Sequence, residues 1–231
     1  MKILVINGTE IKGCTYHLKE SFLETLRENN EINEFYLPKD CPCFCFGCKT
    51  CFLKSELLCP HAKHITPIWE GILEADLLVF AYPVYALRAP GQMKSLLDHL
   101  CCHWMVHRPN KRMFKKRAVI LTQSIGAPNR AAQKDVETSL TWLGISNIKK
   151  LGFGLIEGVI WEELSEKRRK NIEEKTKKLA KKYCKQEKVG QSLKVKIIFT
   201  LNKMMYQHQV KKEDYTCIDN QYWIDNGWIK K

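Results

Sequence analysis

The chain has 231 residues, 45% of them hydrophobic and 27% charged, enough for a buried core without disulfides or metals to hold it together. These proportions exclude disordered and fibrous chains, and no apolar run approaches the roughly 18 to 20 residues needed to span a bilayer. The net charge of +13 is uneven, with 20 basic against 17 acidic residues in 1–164 and 18 against 8 in 165–231. No nucleic-acid motif accompanies the basic segment, so it reads as solvated helix rather than a nucleic-acid surface, and no stable membrane insertion is expected.

MKILVINGTE is too short and too soon interrupted for a signal peptide and reads as a buried first strand, which makes the cytoplasm the expected location. Lys2 to Asn7 is that strand, and Gly8 to Thr15 is a tight polar loop. His17 to Glu28 carries Leu18, Phe22, Leu23 and Leu26 at helical spacing. Ile32 to Leu37 is a second strand, Ile65 to Leu73 a helix, and Asp76 to Tyr82 the most apolar strand. Pro90 to Cys101 predicts a helix with proline in its first turn. A basic loop, Arg108 to Arg117, leads to the strand Ala118 to Gln123. Asn129 to Leu143 is helical up to a stop at Gly144, and Ile148 to Ile156 is the last strand.

Five strands alternating with helices predict an α/β fold, a doubly wound five-stranded parallel sheet. Ligands of such sheets bind at the carboxyl ends of the strands, beside the topological switch point. Beyond Trp161 the character changes. Glu162 to Lys188 predicts a long charged helix, Gly190 a break, and Leu193 to Gln207 an amphipathic helix with Leu193, Ile197, Leu201, Met204 and Met205 on one face. The expected division is a sheet domain at 1–164 and a basic helical extension at 165–231.

The loop NGTEIKGCT lies between a strand and a helix. Gly8 and Gly13 permit a tight turn with backbone N–H groups turned inward, Thr9 and Thr15 offer hydroxyls, Lys12 a charge, and the helix start a positive dipole, a set suited to a phosphate monoester. It has neither the dinucleotide fingerprint nor the P-loop ending. An ordinary turn capped by Thr15 explains the loop equally well. Past the most apolar strand, Pro83, Val84, Tyr85 and Ala86 can lay backbone amides and an aromatic face on a flat heterocycle.

PVY…G.MKSLLDH after DLLVFAY, preceded by NGT…T, resembles the NAD(P)H-dependent FMN reductase and flavodoxin-like oxidoreductase family over roughly residues 1–160. The resemblance implies a sheet in the order 2-1-3-4-5 that binds FMN. Thr9, Lys12, Gly13, Cys14 and Thr15 would hold the phosphate, and Pro83, Val84, Tyr85 and Ala86 would line the isoalloxazine. Ser124, Ile125 and Gly126 would close its other edge. Thr9-Glu10-Ile11 and Cys14-Thr15 depart from the family's more usual Ser-Pro-Arg and Asn-Thr.

Six of the eleven cysteines lie between Cys41 and Cys59, clustering that points to a metal or redox site. Cys45, Cys48, Cys51 and Cys59 form C-x2-C-x2-C-x7-C, compact enough to close around a cubane, whereas zinc sites more often pair two separated C-x2-C units. The spacing resembles the iron–sulfur flavoproteins, a branch of the same family with a [4Fe-4S] cluster beside FMN. Relatives without a cluster share part of it, so a cluster and a thiol-only loop both stay open. His61 and His64 are substitute ligands, and Cys101, Cys102, Cys184 and Cys217 read as small buried hydrophobes. The stretch His103 to Pro109 reads either as a wall over the flavin or a binding point for the substrate, or as packing by Trp104 and a solvated His107, the second reading being favoured.

The expected activity is hydride transfer from NAD(P)H to FMN and on to a second acceptor, a flavin, quinone or electron-carrier protein. The alternative is a non-enzymatic FMN/iron–sulfur electron carrier. The flavin carries the chemistry, so no catalytic side chain is named. The resemblance further implies a homo-oligomer, dimer or tetramer.

Overall fold

Five strands form one all-parallel sheet in the order β2-β1-β3-β4-β5. They are β1 Lys2–Asn7, β2 Glu31–Tyr36, β3 Leu77–Pro83, β4 Arg117–Ser124 and β5 Asn147–Gly154. In this computed structural model residues 1–156, 160–185, 189–212 and 217–231 are described. Every residue of β3 and β4 is buried, as a central parallel strand covered on both faces requires. The predicted fold class and strand order are both present.

The helices are α1 Cys14–Glu24, α2 Thr50–Leu53, α3 Ala62–Glu74, α4 Gly91–Leu100, α5 Arg130–Trp142, α6 Glu166–Ala180, α7 Leu193–Lys211 and α8 Ile218–Asp225. On one face of the sheet, Leu18, Phe22 and Leu23 of α1 pack with Ile172 and Ala180 of α6 against Val5, Val79 and Val119. On the other, Ile68 and Ile72 of α3, Leu96 and Leu100 of α4, and Val136 and Leu140 of α5 pack on Leu4, Phe80 and Ile120. Each such buried aliphatic or aromatic side chain contributes about 1.5–3 kcal/mol relative to exposure. After α5, Gly144 takes φ +106°, and the bonds Gly144 N–H to Thr141 O and Ile145 N–H to Leu140 O close the helix, the expected stop.

Helix α1 starts at Cys14, three residues earlier than the apolar spacing predicts, because Gly13 rather than Thr15 is its N-cap. The long charged helix starts at Glu166, where Ser165 Oγ accepts a bond from Arg168 N–H, and gives way after Ala180 to a 3-10 turn, Lys181–Tyr183. Its predicted end at 186–188 lies outside the described residues.

Helix α7 turns a second face inward. Leu193, Ile197, Leu201 and Met204 are exposed, whereas Val195, Asn202, Tyr206 and Val210 are buried. Tyr206 and Val210 join Trp223 and Ile229 in a separate aromatic core, where the Trp223 indole stacks on Phe199 and Tyr206. A large aromatic surface outweighs a stripe of aliphatics that has nothing to pack on. No described helix is long and apolar enough to cross a membrane.

Candidate functional site

Two sites stand out, a cleft at the carboxyl ends of β1, β3 and β4 and a cysteine-lined cavity between α3 and α4. The cleft has a volume of about 160 Å³ and lies at the switch point, where chain connections leave β1 and β3 in opposite directions. Thr9, Gly13, Cys14, Thr15, Pro83, Val84, Tyr85, Ser124 and Ile125 line it, nine of the twelve residues expected there. Lys12, Ala86 and Gly126 stand outside the lining; the Lys12 ammonium lies over the Tyr16 ring, 5.5 Å from its centroid.

The loop between β1 and α1 is built by close approach. Gly8 N–H donates to Ala81 O at 2.8 Å, Gln92 Nε2 donates to Gly8 O at 2.7 Å, and a Cβ on Gly8 would meet Tyr82 Cβ at 2.4 Å. Only glycine lets β1 leave the sheet this close to β3. Thr9 Oγ1 accepts the Ile11 N–H at 3.1 Å, which turns the chain. No side chain caps the start of α1, and among the described residues no carboxylate lines the cleft, an environment that suits an anion.

The β3 loop is fixed by Val84 N–H donating to Gln123 O and by a two-residue turn in which Tyr85 and Arg88 exchange backbone bonds of 3.0 and 2.9 Å. Ala86 (φ +46°) and Leu87 (φ +65°) both occupy the left-handed region, uncommon for non-glycine residues. Asp135 anchors that strained turn, accepting bonds from Arg88 Nε and from Ala89 N–H, each at 3.1 Å. Sequence reasoning passed over Ile11 and Gln123, which also line the cleft. Nothing in Ile11 suggests a ligand, and Gln123 reads only as the end of a strand.

All four motif cysteines, Cys45, Cys48, Cys51 and Cys59, line the second cavity, whose volume is about 250 Å³. Cys45 and Cys48 are exposed, Cys51 and Cys59 half-buried. Gly47 (φ +70°) and Lys49 (φ +61°) coil the chain around Cys48. The Thr50 hydroxyl and backbone N–H hold the Cys48 thiol below its ordinary pKa, favouring the thiolate that binds metal. Burial raises Cys51, and negative charge on Cys59, Cys45 and Cys48 raises it further. Cysteines gathered closely enough for their ionised forms to repel one another suit a highly charged cation.

At this cavity the sequence suggested only packing for Cys101 and Cys102 and nothing for His99. Cys101 and Cys102 line it, the first pushed up to about 11 by burial and then by Cys51 and Cys45. Cys102 is a buried thiol as expected, but Cys184 and Cys217 are exposed. His99 also lines the cavity, and burial followed by the nearby His61 holds it below its usual pKa. His64 stands apart from the Cys59–His61–His99 group. Buried Arg108 donates from Nη2 to Cys51 O and from Nη1 to Asp219 Oδ1 at 2.5 Å, and its Nε has no partner. Trp104 packs on Trp142, as read from the sequence. His107 is bonded to Asp219 at 2.9 Å rather than solvated, because α8 covers it.

A flavodoxin-like sheet with an anion-suited cleft at its switch point and a flat apolar loop beside it defines the class of FMN-dependent oxidoreductases. The family model described as NADPH-dependent FMN reductase matches residues 1–157. The chain belongs to this family, with FMN as cofactor and NAD(P)H as the family's reductant. An iron–sulfur flavoprotein of Archaeoglobus fulgidus is 25% identical over 232 aligned positions, 99% of this chain and 100% of the relative. One from Methanosarcina thermophila is 25% identical over 172, covering 72% and 85%. An azoreductase from Bacillus anthracis superposes with a TM-score of 0.60 at 19% identity, over 79% of this chain and 99% of its own. An NAD(P)H:quinone oxidoreductase from Methanothermobacter marburgensis gives 0.58 at 15%, over 80% and 98%. These two solved structures share the fold.

Proposed function

We propose that the chain takes hydride from NAD(P)H onto FMN held in the switch-point cleft and delivers the electrons to a second acceptor, a flavin, a quinone or an electron-carrier protein. We further propose a [4Fe-4S] cluster on Cys45, Cys48, Cys51 and Cys59. The observation that carries the reading is the family match over residues 1–157 together with a switch-point cleft that no carboxylate lines among the described residues. For the cluster, the convergence of all four motif cysteines on one cavity is the support, joined by the relatives' names.

Bound FMN supplies hydride acceptance and electron release, and a cubane supplies one-electron storage. The protein's part is placement. Thr9 and Thr15 offer hydroxyls, and Gly13 and Cys14 the amino end of α1, to the phosphate, while Lys12 adds positive charge outside the lining. Pro83, Val84, Tyr85 and Ala86 orient the ring, with Asp135 holding their turn. Ser124, Ile125 and Gly126 close the other edge, where Asn129 Nδ2 donates to Ser124 Oγ at 3.2 Å. No side chain is assigned a proton-transfer role. The division at 1–164 and 165–231 belongs to the same reading, as does a homo-oligomer that covers Leu193, Ile197, Leu201 and Met204.

Protein purified without oxygen tests both parts. Bleaching of a flavin spectrum by NADH or NADPH, with about four irons and four sulfides per chain, is the expected result. Failure of both nucleotides to bleach the flavin overturns the reductase; a yellow, iron-free protein that still bleaches removes only the cluster.

A further inference from the structure

Outside the flavin cleft, the amino end of α3 and the last turn of α4 bring three metal-ligating side chains together. The ligand atoms of Cys59, His61 and His99 lie within 4.8 Å of one another, and His61 Nδ1 is 3.0 Å from His99 Nε2. We propose that Cys59, His61 and His99 form a mononuclear site for a divalent cation of borderline softness, zinc or ferrous iron, filled when no cubane occupies the cysteine loop.

Four observations carry the assignment. The donor set, one thiolate and two imidazoles, is that of a tetrahedral zinc-type site with its fourth position open. His99 Nδ1 lies 2.8 Å from Ser95 O. A carbonyl only accepts, so the proton sits on Nδ1 and the Nε2 lone pair faces His61, the outer-shell arrangement that orients metal-ligating histidines. Rigid backbone holds the ligands, because Ala62 N–H donates to Cys59 O at 2.9 Å and Ile65 N–H to His61 O at 3.2 Å, while His99 sits in a helix. Finally, Cys59 and His99 both line the 250 Å³ cavity, which leaves room for water as the fourth ligand.

The two imidazoles need little adjustment. Bonds of about 2.05 Å in a tetrahedron place two nitrogens roughly 3.3 Å apart, against 3.0 Å here. A small rotation of His61 supplies the difference and shifts its own proton to Nε2. Cys59 cannot serve this ion and a cubane at once, so the two occupancies exclude each other.

The test uses the full chain, isolated in air, treated with chelator and then titrated with cobalt(II). The readout is the set of ligand-field bands of tetrahedral cobalt at the red end of the spectrum, beyond the flavin bands. One cobalt per chain, displaced by zinc, is expected. H61A and H99A should each weaken cobalt binding about a hundredfold or more, while C45S and C48S leave it unchanged. Retained flavin and unaltered thermal unfolding in H61A, the less buried of the two histidine variants, confirm that the loss is not one of fold. Bands that survive both histidine changes, bands lost in C45S and C48S, or no bands at all would each overturn the site. None of these outcomes bears on flavin reduction, which is measured separately.

Discussion

Asp219 of α8 accepts a hydrogen bond from Arg108 Nη1 at 2.5 Å, and both side chains are almost fully buried. The same guanidinium donates to Cys51 O and to Glu56, so one cation ties the C-terminal helices to the cysteine loop. Three further bonds run in parallel: His107 to the other Asp219 oxygen, Trp223 Nε1–H to His107 O, and Tyr222 O–H to Pro109 O.

Removing Asp219 leaves that cation buried beside partners that only partly compensate it. A one-sided break of a buried pair costs about 3–5 kcal/mol, and the remaining acceptors of Arg108 place D219A near ~3 kcal/mol. Urea unfolding measures the loss. Limited proteolysis should show faster cleavage within residues 45–59, because Cys51 O loses a well-placed donor. A loss under about 1 kcal/mol would show that the pair behaves like a surface salt bridge.

Glu34 gives a pH dependence whose sign can be worked out. Burial alone raises its pKa, but the Lys19 ammonium at 2.7 Å, Asn7 Nδ2 at 3.0 Å and the Tyr36 hydroxyl outweigh burial and hold the carboxyl below its usual range. The folded state therefore binds the proton less readily than the unfolded one. The resulting stability is complete above the ordinary glutamate value, about 4.3, and is lost as pH falls through the lowered folded value. E34Q should lower stability at neutral pH by about 2 kcal/mol, since Lys19 keeps Glu20 as a partner at 2.7 Å. Its acid-unfolding profile should then be flatter than that of the wild type. Equal slopes for the two proteins between pH 5 and 3 would show that Glu34 is not the group responsible.

The sheet was readable because buried parallel strands need apolar runs and their crossovers need helices, and KILVIN, DLLVFAY and AVILTQ are long enough to show it. The loop between β1 and α1 was equally local, since a strand, a glycine and a helix start are neighbours in sequence. The buried stripe of α7 was not legible because it holds Tyr206, which packs on Trp223, 17 positions later. Hydropathy cannot register a partner at that distance. The same limit hid Arg108, which reads as part of a basic loop until Asp219, 111 positions later, folds over it. His99 looked like an ordinary helix residue for this reason too: only the fold sets it beside His61.

The cysteines separate into those that share the cavity and those that do not. C48S removes an exposed thiol at the cavity and should reduce iron from about four to near zero per chain without loss of flavin. C184S and C217S replace exposed thiols that do not line it and should change neither iron nor flavin. Iron and flavin assays on one anaerobic preparation make the comparison, and iron loss in C184S or C217S would contradict the assignment.

Two glycines of the phosphate loop should respond in opposite ways. At Gly8 an added methyl meets Tyr82 Cβ at 2.4 Å, an atom next to the backbone that cannot swing aside, so β1 and β3 must move apart. G8A should cost about 1–3 kcal/mol of stability, the usual range for overpacking. At Gly13 the nearest atom to a methyl is Ile11 Cγ2 at 3.9 Å, and φ is −94°, a conformation any residue adopts. G13A should therefore fold normally while placing its methyl in the cleft where a phosphate must approach the backbone. Flavin-stripped G13A should bind FMN about tenfold more weakly, a loss of roughly 1.4 kcal/mol, with an unchanged urea midpoint. Wild-type affinity in G13A would place the phosphate elsewhere, because a methyl at that position can escape notice only if no ligand comes near it.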